Sequence, residues 1–159
     1  MISCPIPGRG TLEIQHIVCD VNGTLSVDGV LLDGVKHRFE QLQDLIDLHI
    51  ISADTHGTLS AIEKELGSCI TSVKRLTVGG EAEQKSEDVE VLGAMNVAAI
   101  GQGTNDRLML KTAAIGVCIL STEATAVETL LSADVLAPDI LTALDLFLYP
   151  SRLKATLRQ

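Results

Sequence analysis

Apolar residues in this chain fall into two alternating patterns. Short, nearly unbroken runs (Ile17-Val18-Cys19, His49-Ile50-Ile51, Val97-Ala98-Ala99-Ile100, Ile115 to Leu120, Val135-Leu136) are separated by stretches where apolar residues recur every three or four positions. Unbroken aliphatic runs read as strands buried on both faces, and the wider spacing reads as helices with one buried stripe. The first strand is expected over Leu12 to Cys19, alternating at its start and continuous at its end. Residues 1–10, with Pro5, Pro7, Gly8 and Gly10, read as a non-helical lead-in. Leu25 to Leu32 has two short apolar arms around Asp28-Gly29, the mark of a small β-hairpin. Asp33 is placed to cap a helix carrying Val35, Phe39, Leu42, Leu45 and Ile46. Further helices are expected over Thr55 to Leu66, from about Glu81 to Leu92, up to Ala113, over Ala124 to Ser132, and after the sixth strand. A third strand falls within Cys69–Val78, where Lys74 and Arg75 point to an edge position. Strands alternating with helices predict an α/β fold: a Rossmann-like, doubly wound three-layer sandwich around a central parallel sheet.

Composition narrows the picture. A length of 159 residues predicts a single domain over 1–159. With 46% apolar but only 2% aromatic residues, the core must be aliphatic. A formal charge of −9 argues against nucleic acid and anionic membrane as partners. No stretch approaches the length of a membrane span, and no signal peptide is visible, so a cytoplasmic protein is expected. Cys4, Cys19, Cys69 and Cys118 lack the close pairs of a zinc site and read as reduced cysteines.

The candidate chemistry sits at strand ends. Asp20-Val21-Asn22-Gly23-Thr24-Leu25 follows the first unbroken run, Ser52-Ala53-Asp54 the second, and Gly101-Gln102-Gly103-Thr104-Asn105-Asp106 the fourth. In a parallel sheet these ends share one edge, where open α/β sheets bind ligands. Asp20 suits a nucleophile that attacks phosphorus, Gly23 allows a tight turn, and Thr24 offers a hydroxyl and a backbone N–H. Asn22-Gly23 is also a hairpin signal. Asp20-x-Asn22 opens like a calcium loop, but Leu25 and Leu31 stand where its glycine and glutamate belong. A dinucleotide loop at Gly101-x-Gly103 is disfavoured by Asp106 at the third glycine position. Lys85, with Lys74 as substitute, is the candidate phosphate cation, although a lysine on a polar helix face is commonly just solvated. His16, His37 and His49 show no ligand spacing; His56 falls close enough after Asp54 to line the site. Asp54 is equally suited to capping the next helix.

These ordered segments resemble the haloacid dehalogenase (HAD) superfamily, most closely the phosphorylation domain of P-type ATPases and its small soluble relatives. Asp20 to Leu25 is similar to D-x-x-G-T-L, Ser52-Ala53-Asp54 to T-G-D, and Gly101 to Asp106 to G-D-G-x-N-D. Leu110, Ala113 and Gly116-Val117 continue the last pattern, and Lys85 precedes Gln102 by 17 residues. The resemblance covers residues 12 to about 148. It implies that Asp20 is phosphorylated, with Asn22, Thr24, Ser52 and Lys85 as its catalytic partners. Mg²⁺ would be held by Asp20 and the Asn22 carbonyl, with Gln102 and Asp106 completing or supporting the site. Ser52, Thr24 and Lys85 would hold the phosphoryl group, with Asn22, Gly23, Ala53 and Asn105 also lining its site.

Two departures stand out. Asn22 replaces the aspartate that phosphatases of this superfamily use as general acid and base, and Gln102 replaces the first acidic residue of G-D-G-x-N-D. The connections leave room for a small hairpin flap but no cap domain, so the substrate is expected to be large or the site closed by another subunit. The expected activity is a magnesium-dependent phosphohydrolase, slow for want of the second aspartate, acting on a phosphorylated small molecule or a phosphoprotein. The other reading is a barely catalytic module that binds phosphate, metal or a partner protein. Exposed Val27, Val30 and Leu31 on the hairpin predict a homo-oligomer.

Overall fold

The structure is a computed structural model that describes residues 1–54 and 57–159. The chain opens with β1 (Ile2–Ile6) and β2 (Gly10–Ile14), which pair antiparallel as a separate two-stranded sheet. The expected lead-in is therefore a strand. It is non-helical, as expected, and Ile2, Cys4 and Ile6 alternate inward with the period of two of a strand, with Pro5 at an exposed position. The expected first strand is divided as well: Leu12 belongs to β2, and β3 (His16–Asp20) starts afresh in the main sheet.

After β3 comes the small hairpin of β4 (Ser26–Val27) and β5 (Val30–Leu31), then α1 (Val35–Leu42). Asp33 does not cap that helix. Gly34 holds the cap position at φ 87°, with no side-chain cap bond. The chain continues through β6 (Asp47–Ser52), α2 (Leu59–Leu66), β7 (Ser72–Arg75), α3 (Glu81–Leu92) and β8 (Val97–Gly101). It ends with α4 (Arg107–Thr112), β9 (Ile115–Ile119), α5 (Val127–Ser132), β10 (Val135–Ala137), α6 (Ile140–Leu148) and α7 (Pro150–Leu157). The helix expected from Ala124 begins at Val127. Ala124 takes a turn at φ 75°, and Thr125 Oγ1 bonds back to the Ile119 carbonyl.

The main sheet is parallel, with order β10-β9-β8-β3-β6-β7, so β7 is the edge strand that Lys74 and Arg75 predict. One face of the sheet packs Ile17, Cys19, Ile50 and Ile100 against α1, α2 and α6 through Phe39, Leu42, Ile62, Leu144 and Phe147. The other packs Val18, Ile51, Val97 and Ala99 against Val89 of α3 and Met109 and Leu110 of α4. This is the expected doubly wound three-layer α/β sandwich, with only the β4–β5 hairpin between β3 and α1. All four cysteines are free and buried, and burial pushes their thiols up, that of Cys118 to about 11. No described helix is long and apolar enough to cross a membrane.

Candidate active site

From β3 the chain runs to β6 on one side, and from the adjacent β8 it runs to β9 on the other. The loops after β3 and β8 therefore diverge and leave a crevice at the carboxyl ends of the strands, the usual ligand position in such sheets. Asp20 ends β3 and Gly101 ends β8, so the two glycine-bearing loops face each other across this crevice. Gly23 makes the first loop possible at φ 78°, where the Val21 carbonyl accepts N–H bonds from Thr24, Leu25 and Ser26.

A buried charge triad lies at its base. Lys85 Nζ is 2.6 Å from Asp20 Oδ1 and 2.6 Å from Asp106 Oδ1, with the lysine and Asp106 side chains fully buried. Thr24 Oγ1 donates to Asp20 Oδ2 at 2.9 Å. The second oxygen of Asp106 accepts the backbone N–H groups of Gln102 and Gly103, each at 2.9 Å. Room for that carboxylate comes from Gly101, where a Cβ would stand 2.5 Å from Asp106 Cγ. Burial and the nearby Asp106 charge push Asp20 up to about 6, against the pull of Lys85. Burial alone would lower Lys85, but the two carboxylates more than reverse this and raise it.

Lys85 reaches the site because it shares the inward stripe of α3 with Ala82 and Val89. The polar-face reading of this lysine is thus corrected, and the spacing 82, 85, 89 was the signal for it. Lys74 pairs at the surface with Asp88 at 3.5 Å. Asn22 Nδ2 donates to Ser52 Oγ at 3.4 Å, and Gln102 Nε2 donates to the Asn22 carbonyl at 3.2 Å. Asp20, Asn22, Thr24, Ser52, Lys85, Gln102 and Asp106 therefore form one cluster, with Gly23 in its wall. Half-buried Ala53 adjoins Ser52.

Several expected phosphate-binding or site-lining groups already have partners. Thr24's hydroxyl and N–H bond to Asp20 and Val21 rather than facing open space. Asn105 donates to Glu81 at 3.0 Å. Asp54 accepts the Leu59 N–H at the start of α2 at 2.9 Å, while Thr58 holds the cap position. His56 lies outside the described residues. His37 is exposed near Glu40, while His16 and His49 sit at the opposite, amino-terminal edge of the sheet.

Glu123 was invisible to motif reading. Its Oε1 accepts the Asp28 N–H at 2.7 Å, and its Oε2 comes within 3.2 Å of where a Cβ on Gly23 would be. It thereby fastens the hairpin over the loop that follows β3. Its only sequence signal is its place just beyond β9, on the same sheet edge.

The donor chemistry fits Mg²⁺. The Asp20 carboxylate, the Asn22 carbonyl and the Gln102 amide are hard oxygen donors on the facing loops. The last two meet at 3.2 Å, and Asp20 Oδ2, bonded to the Thr24 hydroxyl alone, is the freer oxygen of its carboxylate. The Gln102 nitrogen now faces the Asn22 carbonyl, and the two ends of an amide exchange places by a simple flip. Asp106 differs from expectation. Its oxygens are committed to Lys85 and two backbone N–H groups, so it anchors the site rather than offering a free ligand.

No family model matches the chain. Among solved structures, a HAD superfamily (subfamily III A) hydrolase from Legionella pneumophila superposes with a TM-score of 0.65 at 22% identity. That match covers 92% of this chain and 88% of the other. The 3-deoxy-D-manno-octulosonate 8-phosphate phosphatase of Moraxella catarrhalis, solved with magnesium, phosphate and sugar acid, gives 0.66 at 19%, covering 91% and 94%. The fold is that of the HAD superfamily hydrolases. In sequence, the chain is 28% identical over 135 residues to the copper-transporting ATPase HMA5 of Oryza sativa, covering 80% of this chain but only 13% of the ATPase. It is 42% identical over 90 residues to the uncharacterized protein MJ0073 of Methanocaldococcus jannaschii, covering 54% of this chain and 97% of that protein, and belongs with it to one family.

Proposed function

We propose that this protein is a magnesium-dependent phosphohydrolase that works through a phospho-aspartate on Asp20. The observation that carries this reading is the Asp20–Lys85–Asp106 triad at the switch point, with Asn22, Ser52 and Gln102 around it. An Asp20 oxygen attacks phosphorus, the ester oxygen departs with its electron pair, and water then cleaves the acyl phosphate to restore the carboxylate. Lys85 holds a phosphoryl oxygen, and Ser52 donates its hydroxyl to another. Mg²⁺, held by Asp20, the Asn22 carbonyl and Gln102, supplies neutralisation of phosphoryl charge. Asp106 positions Lys85.

Asn22 can donate a hydrogen bond but cannot pass a proton to the leaving oxygen. The reaction is therefore slow for alkyl phosphates and faster for activated esters and acyl phosphates. A cavity of about 400 Å³ opens beside the loop, its walls mainly apolar (Gly23, Val27, Leu32, Ile140) with Asp33 and Asp139 among its polar lining. Its size and apolar walls suit the leaving group of a phosphorylated small molecule. Val30 at the hairpin tip is 69% exposed and favours a homo-oligomer, whereas Leu31 turns inward. Light scattering at micromolar concentration reads the oligomer directly.

The test is a screen of phosphorylated metabolites and p-nitrophenyl phosphate with Mg²⁺, comparing wild type with Asp20→Asn. Activity that vanishes in the variant supports the reading. Activity that persists belongs to something else, and the binding-module reading replaces it.

A further inference from the structure

At the opposite end of the sheet a second group of polar side chains converges. His16 starts β3, Asp47 stands directly across from it at the start of β6, and His49 lies two residues further along β6. Residues two apart on a strand share a face, so the parallel register places all three on one side. His16 Nδ1 is 3.1 Å from His49 Nε2 and 3.5 Å from Asp47 Oδ2, and the three ligand atoms lie within 4.8 Å of one another. Donors around a tetrahedral metal with bonds of about 2.0–2.1 Å are about 3.3–3.4 Å apart, close to these two separations.

We propose that His16, Asp47 and His49 bind a transition-metal dication of the zinc, cobalt or nickel class. Two imidazoles, borderline donors, beside one carboxylate suit such ions far better than magnesium, which prefers oxygen donors throughout. The ligands are also oriented from behind. His49 Nδ1 is 2.7 Å from Ser72 Oγ, its cross-strand neighbour on β7, and Asp47 Oδ1 is 3.4 Å from Thr71 Oγ1. Metal-bound histidines almost always donate their second ring N–H to an oxygen acceptor, usually a carboxylate, carbonyl or water, and the Ser72 hydroxyl takes that place here. His49 is buried, His16 half-buried and Asp47 exposed, which leaves the fourth position open to water. Four residues of strand, about 13 Å, separate His16 from Asp20, so the site is distinct from the phosphoryl centre. The ion would clamp β3 to β6 at their starts.

Titration of the Asp20→Asn protein with Co²⁺ and Zn²⁺ keeps the two centres apart. The expected result is one equivalent of Co²⁺ bound with the intense visible bands of a tetrahedral site, displaced by Zn²⁺. Adding His16→Ala or Asp47→Asn, both near the surface, should abolish those bands with the far-UV circular dichroism unchanged. Ser72→Ala should weaken binding by about 10–100-fold, as loss of an orienting partner does. Absence of tetrahedral cobalt in the Asp20→Asn protein, or its survival in the His16→Ala and Asp47→Asn variants, overturns the proposal.

Discussion

Asp20 is held in surroundings that favour its protonated form, and this has a price in stability. Its folded-state pKa of about 6 lies above the ordinary 3.8, so the folded protein binds this proton more tightly than the unfolded chain. The associated stability is full below about pH 4 and is lost as pH rises through about 6. Asp20→Asn cannot ionise and leaves Lys85 balanced by Asp106 alone. Its melting temperature should match wild type near pH 4 and exceed it above pH 6.5, a gap that calorimetry across pH reads. A constant difference at all pH values would contradict the charge balance described here. Asn22 sets the second residue-scale expectation. General acid–base assistance is worth about 10²–10⁴ in rate, so Asn22→Asp should raise turnover of alkyl phosphates by up to that range. Turnover of p-nitrophenyl phosphate, whose leaving group needs no proton, should change far less.

At the scale of elements, α7 and the β1–β2 hairpin stand or fall together. Leu153 is 1% exposed and belongs to the same core cluster as Ile2, Cys4, Ile6 and Ile14, and Cys4 Sγ donates to the Pro150 carbonyl. Leu153→Ala should cost about 2–5 kcal/mol, with the loss of amide protection concentrated in β1 and β2 by hydrogen exchange. This hairpin is also where the sequence was hardest to read, because prolines and glycines hid the alternation of Ile2, Cys4 and Ile6. The main-sheet strands were legible since a strand buried on both faces leaves an unbroken aliphatic run. Helix starts were mixed: α3 begins at Glu81 as expected, whereas Gly34 took the cap position assigned to Asp33, and Ala124 took a left-handed turn ahead of α5. Of the candidate site, the Asp20, Ser52 and Gly101 loops could be placed at one edge from strand order. Lys85 was named as the site's cation against the alternative of a solvated polar face, and the 82, 85, 89 spacing carried the signal for its inward aim. The meeting of His16 with His49 was not legible, because it depends on the register between two strands distant in sequence.

At the scale of the whole molecule, metal binding should appear as stability. Mg²⁺ that binds the folded protein alone raises its melting temperature by mass action. The clustered carboxylates of Asp20 and Asp106 share a single buried cation, Lys85, which leaves room for a second. Millimolar Mg²⁺ should therefore raise the melting temperature, and Gln102→Asp should enlarge the rise by adding an anionic ligand beside the Asn22 carbonyl. An unchanged melting curve in both proteins would count against a metal at this crevice.

The position of β7 carries a different consequence, one for behaviour in concentrated solution. An outermost strand offers a free row of backbone donors and acceptors on which another molecule can add a strand. The opposite margin, β10, is only three residues long, so β7 is the longer template. On it Lys74 and Arg75 are exposed, and each is tethered to an acid, Asp88 and Glu63 respectively. An incoming copy would have to bring its own lysine and arginine against this pair. Replacing both with threonine keeps strand propensity and removes the repulsion. The double variant should fold normally yet form β-rich aggregates faster than wild type at millimolar protein, followed by light scattering and thioflavin fluorescence. Equal rates would mean that β7 is guarded by something other than its charges.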